Sequence, residues 1–577
     1  MPSAPVPYAP ETSQAPRDRA TVPPLVDSPP EATAEADERI GPGQPAPEGT
    51  RRGSDSSTVT LQGDGAATGD PGAATKRDLE KEAGESGGGY EKRKDGVVVV
   101  DWKGADDPAC PLNWSNGRRI AGTFAVAGFT LLAPLSSSMI APAASQVAAR
   151  LHIADEVEIS MSVSIFVLAF AFSPLVFGPA SELFGRVRVL QTANLFYIIF
   201  NLVCAFAKTK GQFIAFRFLG GFGGGAPLSI GAGVLSDLWR PEERGKSSAL
   251  YSLGPLLGPA LGPVMGGWVT ERVPVDGYRW IFFSTTIFSA LVQLLGLFFL
   301  TETYGPVLLL RKALALKQEM GLPADSDRVQ TVYEAKMNGK RKSTRDIIAH
   351  GMVRPFVLFF HEPILQLLAL YMALIYGVIY ILIVSTDRVY QEVYSQSVGI
   401  ASLHFIALML GFIIASQGGA RVLDILYRRL KAKENGVGRP EFRLPLMLPA
   451  SVLLPAGLLI YGWGAERGVH WIVPDIGLVL IGTAMITIFQ GITTYLLDAF
   501  TLYAASALAA TTCLRSICGF AFPLFAPYMY NGIGYGWGCT VLAFVAIAVG
   551  CPAVPLLWRY GERIRKHSKF AAKEQGT

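Results

Sequence analysis

Twelve apolar stretches, each close to the length that crosses a lipid bilayer, fill most of this chain after its first hundred residues. A membrane-spanning helix needs about 20 consecutive, mostly apolar residues. Six stretches precede a polar, basic segment and six follow it, at residues 120–141, 157–177, 189–207, 213–235, 247–270, 280–300, 363–385, 398–417, 446–463, 476–497, 502–528 and 538–557. The sequence therefore predicts an all-α polytopic membrane protein of two six-helix bundles.

The composition supports this prediction and divides the chain. Half of the residues are hydrophobic and 17% are charged, against roughly 25% charged in soluble domains. The first ninety or so residues are rich in Pro, Gly and charge without an apolar run, so they cannot bury enough surface to fold. We expect a disordered cytosolic tail at 1–100, helix bundles at 118–300 and 362–558, a cytosolic loop at 301–361 and a cytosolic tail at 559–577.

Basic residues concentrate in the loops on one predicted side of the membrane. The central loop alone carries Lys340, Arg341, Lys342 and Arg345, whereas the loops on the other side hold acids such as Asp387. Loops rich in Lys and Arg stay in the cytosol. We therefore expect a multi-pass cell-membrane protein with both termini in the cytosol, although neither tail carries a legible signal that would exclude an internal membrane.

Small residues recur every four positions in the fifth apolar stretch, which reads GPALGPVMGGW. The repeat consists of Gly258, Pro259, Gly262, Pro263, Gly266 and Gly267. Glycines at this spacing let a neighbouring helix approach closely, and each proline removes a backbone donor and bends its helix. The pattern predicts a close-packed, kinked seam. The alternative is a packing face with no further function.

A short loop recurs at the matching place in each half of the chain. GPASELFGRVR at 178–188 contains Gly178, Glu182, Gly185 and Arg186, and ARVLDILYRR at 420–429 contains Asp424 and Arg428. In both loops an acid precedes an arginine by four residues, the spacing of an ion pair on one helix face. Such an internal repeat is expected of a transporter with alternating access. Membrane anchoring by snorkelling arginines is the alternative for either loop alone.

These motifs together resemble the major facilitator superfamily. Residues 178–188 resemble its signature loop, with Glu182 at a position usually held by Asp, and 258–267 resemble its fifth-helix antiporter motif. PLNWS at 111–115, SSSMIAPA at 136–143 and DAFTLYAASALAA at 498–510 make the chain similar to the fungal twelve-span drug:proton antiporters and related secondary-metabolite and polyamine carriers. The resemblance covers everything from about Asp101 to the tail.

The resemblance implies a secondary active transporter that exports small organic or amphipathic molecules by alternating access. It implies exchange for protons, with the two loops latching the cytosolic side in the outward-facing state and the glycine seam limiting proton leak. We expect a monomer that interacts with a small-molecule substrate, protons and the lipid bilayer, and not with nucleic acid. The alternatives are a dedicated exporter of one metabolite, such as an organic acid or a glycolipid, and a non-transporting membrane receptor.

Charged residues near or inside the apolar stretches are candidates for proton coupling. Arg217 lies near the start of the fourth stretch, and the resemblance implicates it in proton handling. Asp237 closes the fourth stretch, and Asp498 begins the eleventh. His404 lies in the eighth, where its imidazole would suit a proton relay. A hydrogen-bonded packing role is the alternative for this histidine.

Candidate substrate contacts are Ser137, Tyr376, Tyr380, Gln490 and Arg515. Aromatic walls with a few hydrogen-bonding groups suit amphipathic organic molecules. Arg515 could bind an anionic substrate group, or pair with a carbonyl or with an acid of the other bundle. The sequence contains no ATP-binding loop, catalytic triad or metal-binding cluster, so we expect neither an enzyme nor a cofactor or metal.

Overall fold

Helices occupy all twelve predicted positions in the computed structural model, which describes residues 90–92, 97–104, 106–240, 243–336 and 344–571. The long helices are α1 (Asn116–Ser138), α2 (Glu156–Phe184), α3 (Arg186–Cys204), α4 (Lys210–Leu238), α5 (Arg244–Arg272), α6 (Gly277–Phe299), α7 (Pro363–Glu392), α8 (Val398–Lys433), α9 (Met447–Glu466), α10 (Ile472–Ala499) and a 64-residue element, Ala504–His567. Shorter helices lie at Ala144–Leu151, Gly305–Glu319, Val332–Lys336 and Thr344–His361. Residues 1–89 of the predicted tail, the basic residues Lys340, Arg341 and Lys342, and the side chain of Arg345 lie outside the described residues.

The 64-residue element is two helices joined at Gly534. This glycine has φ 78° and ψ 171°, a backbone conformation that is open to glycine but not to other residues. Glu466 Oε2 accepts hydrogen bonds from the backbone N–H groups of Tyr535 at 2.7 Å and Gly536 at 3.2 Å, and so caps the helix that starts there. The element therefore consists of α11 (504–533) and α12 (535–567).

The count of spans follows from this break. Within the described residues, ten helical segments are long and apolar enough to cross a membrane, and the 64-residue element is one of them. The 29-residue helix α5 adds an eleventh, and the division at Gly534 adds a twelfth. The predicted twelve-helix architecture is confirmed.

The helices form two successive bundles, α1–α6 and α7–α12. In the first, α1 packs on α5 and α6, while α2 packs on α3 and α4; in the second, α7 packs along the 64-residue element, and α9 packs on α10. We call the side on which α1 begins and α12 ends the terminal side, and the opposite side the far side. The two bundles meet along α2 and α11 and along α5 and α8.

Large apolar side chains cover the outside of both bundles. Phe298 of α6 is 78% exposed, Ile287 of the same helix is 67% exposed, and Phe544 of α12 is 65% exposed. A water-soluble protein rarely presents so much apolar surface, but lipid tails are as apolar as these side chains. The outer surface is that of a membrane-embedded protein.

The described segments outside the bundles fold against each other. Three short strands form one sheet: β1 (Tyr90–Lys92), β2 (Val98–Val100) and β3 (Val329–Thr331). β2 pairs antiparallel with β1 and parallel with β3, so the end of the predicted tail joins the predicted central loop. Lys312 Nζ lies 3.1 Å from Asp107 Oδ2 beside this sheet. These two predicted segments therefore contain ordered structure where they are described.

Candidate functional site

The glycine seam of α5 lies against the end of α1. A Cβ atom on Gly258 would come within 2.9 Å of Leu135 N, and one on Gly262 within 2.7 Å of Leu135 O and 2.9 Å of Met139 N. Gly266 packs against the carbonyl group of Met139 in the same way. Pro259 and Pro263 lie buried inside α5. The two backbones are in direct contact, as the four-residue spacing predicts.

The last glycine of the seam contacts the other bundle. A Cβ atom on Gly267 would lie 2.5 Å from Ser402 Cβ of α8. One turn further on, Glu271 Oε2 accepts a hydrogen bond of 2.6 Å from the backbone N–H of Gly399. These contacts join α5 to α8 on the far side, so the far side is closed here.

Arg217 of α4 is buried and binds backbone oxygens. Its guanidinium donates to Ser136 O at 3.1 Å and Ser137 O at 3.3 Å, near the end of α1, and to Ser162 O at 3.4 Å and Val163 O at 3.2 Å in α2. The last carbonyls of a helix have no partner within it, and a cation near a helix C-terminus is favourable. Arg217 therefore caps α1 and fastens α1, α2 and α4 together.

Four of the five predicted substrate contacts meet between the bundles. Ser137 Oγ of α1 and Tyr380 Oη of α7 are hydrogen-bonded at 3.0 Å. The Tyr376 and Tyr380 rings lie 5.3 Å apart, and the Arg515 guanidinium of α11 lies 4.9 Å from the centre of the Tyr376 ring. Gln490 of α10 faces α8 instead, since a Cβ atom on Gly419 of α8 would lie 3.7 Å from Gln490 Oε1. We call Ser137, Tyr376, Tyr380 and Arg515 the central cluster.

Arg515 keeps part of its hydrogen-bonding capacity free. Its guanidinium lies between Tyr376 and Phe489, whose ring centre is 5.4 Å away. Its Nε is buried and has no hydrogen-bond partner among the described residues. Aromatic faces attract a cation, but they do not satisfy its N–H donors. The site is suited to an acceptor group, such as a carboxylate, on a planar molecule.

The predicted pair of Glu182 and Arg186 is not what the structure shows. Arg186 Nε instead binds Asp237 Oδ2, at the end of α4, at 2.6 Å, and the Glu182 side chain is exposed. Glu302, which follows α6, accepts a hydrogen bond of 3.0 Å from the backbone N–H of Arg186. Asp237 and Glu302, which are 51 and 116 residues from Arg186 in the sequence, thus replace Glu182 as its partners.

The predicted pair of Asp424 and Arg428 is replaced in the same way. Asp424 Oδ1 lies 3.3 Å from Arg443 Nη1, and Arg443 Nε lies 3.0 Å from Asp498 Oδ2. The Arg428 side chain is exposed. Asp498 does not begin the eleventh helix, since α10 continues to Ala499.

The repeat between the halves is therefore an arginine at the start of the third helix, or just before the ninth, paired with an aspartate at the end of the fourth or tenth helix. In the first half these are Arg186 and Asp237, and in the second half Arg443 and Asp498. Each pair lies on the terminal side within its own bundle. Arg443 lies outside the repeated loop and belongs to no local pattern, so the sequence repeat alone does not identify it.

A phenol lies beside the first of these pairs. The Arg186 guanidinium is 4.7 Å from the centre of the Tyr304 ring. Burial, reinforced by the nearby Glu182 carboxylate, raises the pKa of Tyr304 to about 12. Because this pKa lies well above neutral pH, the Tyr304 phenol stays neutral and contributes packing and ring electrostatics rather than charge to the terminal side.

Replacing Gly185 with alanine should destabilise the protein. Gly185 has φ 100°, and a Cβ there would lie 2.8 Å from Glu302 Cδ. We expect backbone strain and the displaced carboxylate to cost about 1–3 kcal/mol, measured as a lower midpoint of thermal unfolding in detergent. Gly211→Ala is the control, since its Cβ would meet nothing within 4 Å. Equal midpoints for the two variants would contradict the expectation. At Gly178, the other glycine of the predicted loop, a Cβ atom would likewise meet nothing within 4 Å, so close packing does not require glycine there.

His404 lies on the far side and is held by hydrogen bonds within the second bundle. Its Nδ1 is 2.8 Å from Asp475 Oδ1, and its Nε2 is 2.8 Å from Gln396 Oε1. The imidazole stacks on Tyr390 at 3.6 Å between ring centres, and Tyr390 Oη donates to Asp475 at 2.7 Å. His404 is thus an anchored group at the start of α8, separate from the central cluster.

Asp387 is a buried carboxylate that the sequence prediction placed in a loop. Helix α7 continues to Glu392, beyond the predicted end at residue 385. Asp387 is 4% exposed, and its Oδ1 accepts a hydrogen bond of 2.8 Å from Ser402 Oγ. It lines a cavity of about 380 Å³ that is bounded by α2, α7 and α11 on the far side. The only sequence signal was an acid directly after an apolar run.

Comparison with known proteins matches this chain to a family model and to relatives named as transporters or efflux pumps. The family model described as Major Facilitator Superfamily matches residues 126–523. The chain is 44% identical over 474 residues to the "Efflux pump vrtL" of Penicillium aethiopicum, covering 82% of this chain and 92% of the relative. It is 40% identical over 485 residues to the "MFS-type transporter penM" of Penicillium rubens, covering 84% and 93%.

Solved structures show the same fold. A partially occluded inward-open conformation of the xylose transporter XylE from E. coli matches with a TM-score of 0.55 and 16% identity, covering 77% of this chain and 98% of that one. The human organic anion transporter MFSD10 (TETRAN) matches with a TM-score of 0.50 and 17% identity, covering 76% and 99%. At these identities the likeness concerns the fold alone.

Proposed function

The chain belongs to the Major Facilitator Superfamily and is a membrane transporter, and we propose that it exports small organic acids with a planar or aromatic part in exchange for protons. Export is supported by a relative that is named an efflux pump and shares 44% of its residues over most of both chains. Superfamily membership indicates transport rather than catalysis. The observation that carries the substrate class is the arrangement around Arg515.

The central cluster supplies one cation and several ring faces at the interface of the bundles. Arg515 Nε lacks a hydrogen-bond partner among the described residues, and an unsatisfied buried donor costs about 1–3 kcal/mol. A carboxylate on the substrate would satisfy it, while the Tyr376 and Phe489 rings would contact a planar part. A cationic substrate would meet repulsion from Arg515 at the same place.

Rocking of the two bundles about the central cluster would alternate its access. The concentration of Lys and Arg in the loops on the terminal side supports a cytosolic location for that side. In the proposed orientation both termini are cytosolic and the far side is external. The contacts of Gly267 with Ser402 and of Glu271 with Gly399 close the far side. The opposite state requires these contacts to separate while the terminal side closes.

The charged residues on the terminal side would act as the latch of that opposite state. Arg186 and Arg443 now pair within their own bundles, while Glu182 and Arg428 are exposed and free to form pairs between bundles. The glycine seam would keep α1 and α5 packed throughout the cycle and so limit proton leak. Gly185, with its positive φ, would shape the turn between α2 and α3, whereas Gly178 lies inside α2.

Of the proton-coupling candidates, none has a free titratable atom at the central cluster. Arg217 is bound to four carbonyl oxygens, and His404 is bound on both ring nitrogens. Asp237 and Asp498 are paired with arginines on the terminal side. These residues would act by holding the helices, and the transported proton needs another binding group.

The test of export compares cells with and without this gene by untargeted mass spectrometry of cell contents and medium. We expect the compounds retained without the gene to be acids with a planar ring. One retained class would identify a dedicated exporter, and several unrelated acids would identify a polyspecific one. Retention of cations or neutral compounds alone, or of nothing, would overturn the proposal.

Replacing Arg515 with glutamine should reduce export of the retained acid roughly ten- to a hundredfold, because one hydrogen-bonded charge contact is worth about 1.5–3 kcal/mol. Export is measured as the ratio of external to cellular compound at equal membrane abundance. Arg515→Lys keeps the charge and should retain part of the activity. Arg311→Gln, at an exposed arginine outside both predicted latch loops, is the matched control and should export normally. Normal export by Arg515→Gln would contradict the assignment.

A further inference from the structure

The cavity on the far side is lined by a carboxylate, Asp387, with one buried oxygen that has no hydrogen-bond partner among the described residues. Asp387 is 4% exposed, and its Oδ1 accepts from Ser402. Its Oδ2 is buried and has no hydrogen-bond partner among the described residues. A buried charge without pairing is costly, and protonation removes that cost. This arrangement suits a carboxyl group that is neutral when the far side is closed.

The other acidic groups around the cavity already have partners. Glu156 of α2 accepts from Asn531 at 3.1 Å and lies 3.7 Å from Arg388. Glu392 lies 2.6 Å from Arg388 and accepts from Tyr535 at 3.1 Å. The Arg388 charge is thus shared between these two carboxylates rather than directed at Asp387.

The remaining titratable groups on neighbouring helices are also occupied. On α5, Glu271 binds the backbone of Gly399. On α8 and α10, His404 and Asp475 bind each other. On α9 and α11, Tyr461 contacts Thr386 at 3.3 Å and Tyr530 contacts Cys539 at 3.7 Å. Asp387 therefore differs from the groups that surround it.

Asp387 is also connected to the far-side closure. Ser402, which donates to Asp387, is the residue that packs against Gly267 of the seam. A line of contacts thus runs from α7 through α8 to α5 and across the bundle interface. The cavity gives Asp387 a connection toward the far side through the helix ends that carry Arg388 and Glu392.

We propose that Asp387 is the proton-binding group of the far side, and that binding of one proton to its carboxylate permits α5 and α8 to close. This inference deepens the proposed function. After the substrate leaves on the far side, a proton from that side binds Asp387, and the neutral carboxyl can then be buried beside Ser402. Without the proton, burial of the charge opposes closure, so the open state persists.

The test measures the distance between the two bundles on the far side, in the absence of substrate. Spin labels are placed at Val275 and Val469, which are exposed on the far side in different bundles, after replacement of the six native cysteines. Pulsed dipolar spectroscopy in lipid nanodiscs then gives the open fraction. We expect this fraction to be roughly tenfold larger at mildly alkaline than at acidic pH, a change of about 1.4 kcal/mol.

The variants distinguish Asp387 from its neighbours. Asp387→Asn, a neutral side chain of the same shape, should stay closed at both pH values. His404→Gln and Ser402→Ala should keep a pH-dependent distance because the carboxylate remains. No pH dependence in the protein without these changes, or the same dependence in Asp387→Asn, would overturn the inference. If Asp387→Asn fails to fold, loss of the pH dependence in His404→Gln overturns the inference. Persistence of the pH dependence in His404→Gln supports the inference.

Failure of this inference can be told apart from failure of the proposed function. The distance measurement contains no substrate, so an error in the substrate class or in export leaves its result unchanged. Conversely, export of organic acids measured in cells does not depend on which residue binds the proton.

Discussion

Replacing Gly262 with leucine should reduce export strongly while the protein still inserts into the membrane. A Cβ at this position would already lie 2.7 Å from Leu135 O and 2.9 Å from Met139 N, and it would also meet Ser138 Oγ. Most of these atoms are backbone, so they cannot move aside as a flexible side chain would. Overpacking of this kind costs about 1–3 kcal/mol, and here it acts on the contact between α1 and α5.

The expected loss of export is about ten- to a hundredfold, measured in the cell assay at equal membrane abundance. Gly117→Leu is the matched control, since Gly117 is in the first turn of α1 and a Cβ there would meet nothing within 4 Å. The control should export normally. Normal export by Gly262→Leu would show that the seam tolerates separation and has no part in transport.

Replacing Arg217 with methionine lowers the stability of the folded protein more than any surface change. Methionine leaves the carbonyl oxygens at the end of α1 without the guanidinium donors that now reach Ser136 and Ser137. Each buried acceptor left without a donor costs about 1–3 kcal/mol. The guanidinium also lies 4.6 Å from the centre of the Phe166 ring, a contact that methionine replaces only in part.

The measurement is the temperature at which the detergent-solubilised protein loses its monodisperse elution peak. The temperature for Arg217→Lys should lie between those of the unchanged protein and Arg217→Met, because one ammonium group cannot reach all four carbonyls that the planar guanidinium spans. Arg429→Met, at an exposed position, should leave the temperature unchanged. An unchanged temperature in Arg217→Met would contradict the capping role.

The sequence was sufficient for the architecture because length and hydropathy decide it locally. Each span can be recognised from about 20 consecutive residues. The glycines of α5 imply close approach of another helix, whichever helix that is. The seam's contact with α1 is in accord with the spacing of Gly258, Gly262 and Gly266. Its role in the transport cycle stays a prediction.

The partners of charged residues could not be predicted in the same way. Arg186 has an acid four residues before it, yet it binds Asp237, which is 51 residues away. The i,i+4 interaction is worth only a few tenths of a kcal/mol, so tertiary placement readily overrides it. The predicted pair of Asp424 and Arg428 does not form for the same reason, since Arg443 approaches Asp424 from the turn before α9.

Asp387 illustrates a second limit of local patterns. The residues after position 385 are Thr386, Asp387 and Arg388, which look like the start of a polar loop. The helix nevertheless continues to Glu392, because neighbouring helices provide Ser402 for the carboxylate and Glu156 for the arginine. Hydropathy cannot report such long-range compensation.

Proton-driven export of an organic acid can be measured in inside-out membrane vesicles. The measured quantity is accumulation of the retained acid in vesicles with an acidic lumen, with and without an ionophore that dissipates the pH gradient. We predict accumulation that requires the gradient, disappears with the ionophore and is strongly reduced in Arg515→Gln. Accumulation that is unaffected by the ionophore, or its absence despite the gradient, would contradict this prediction.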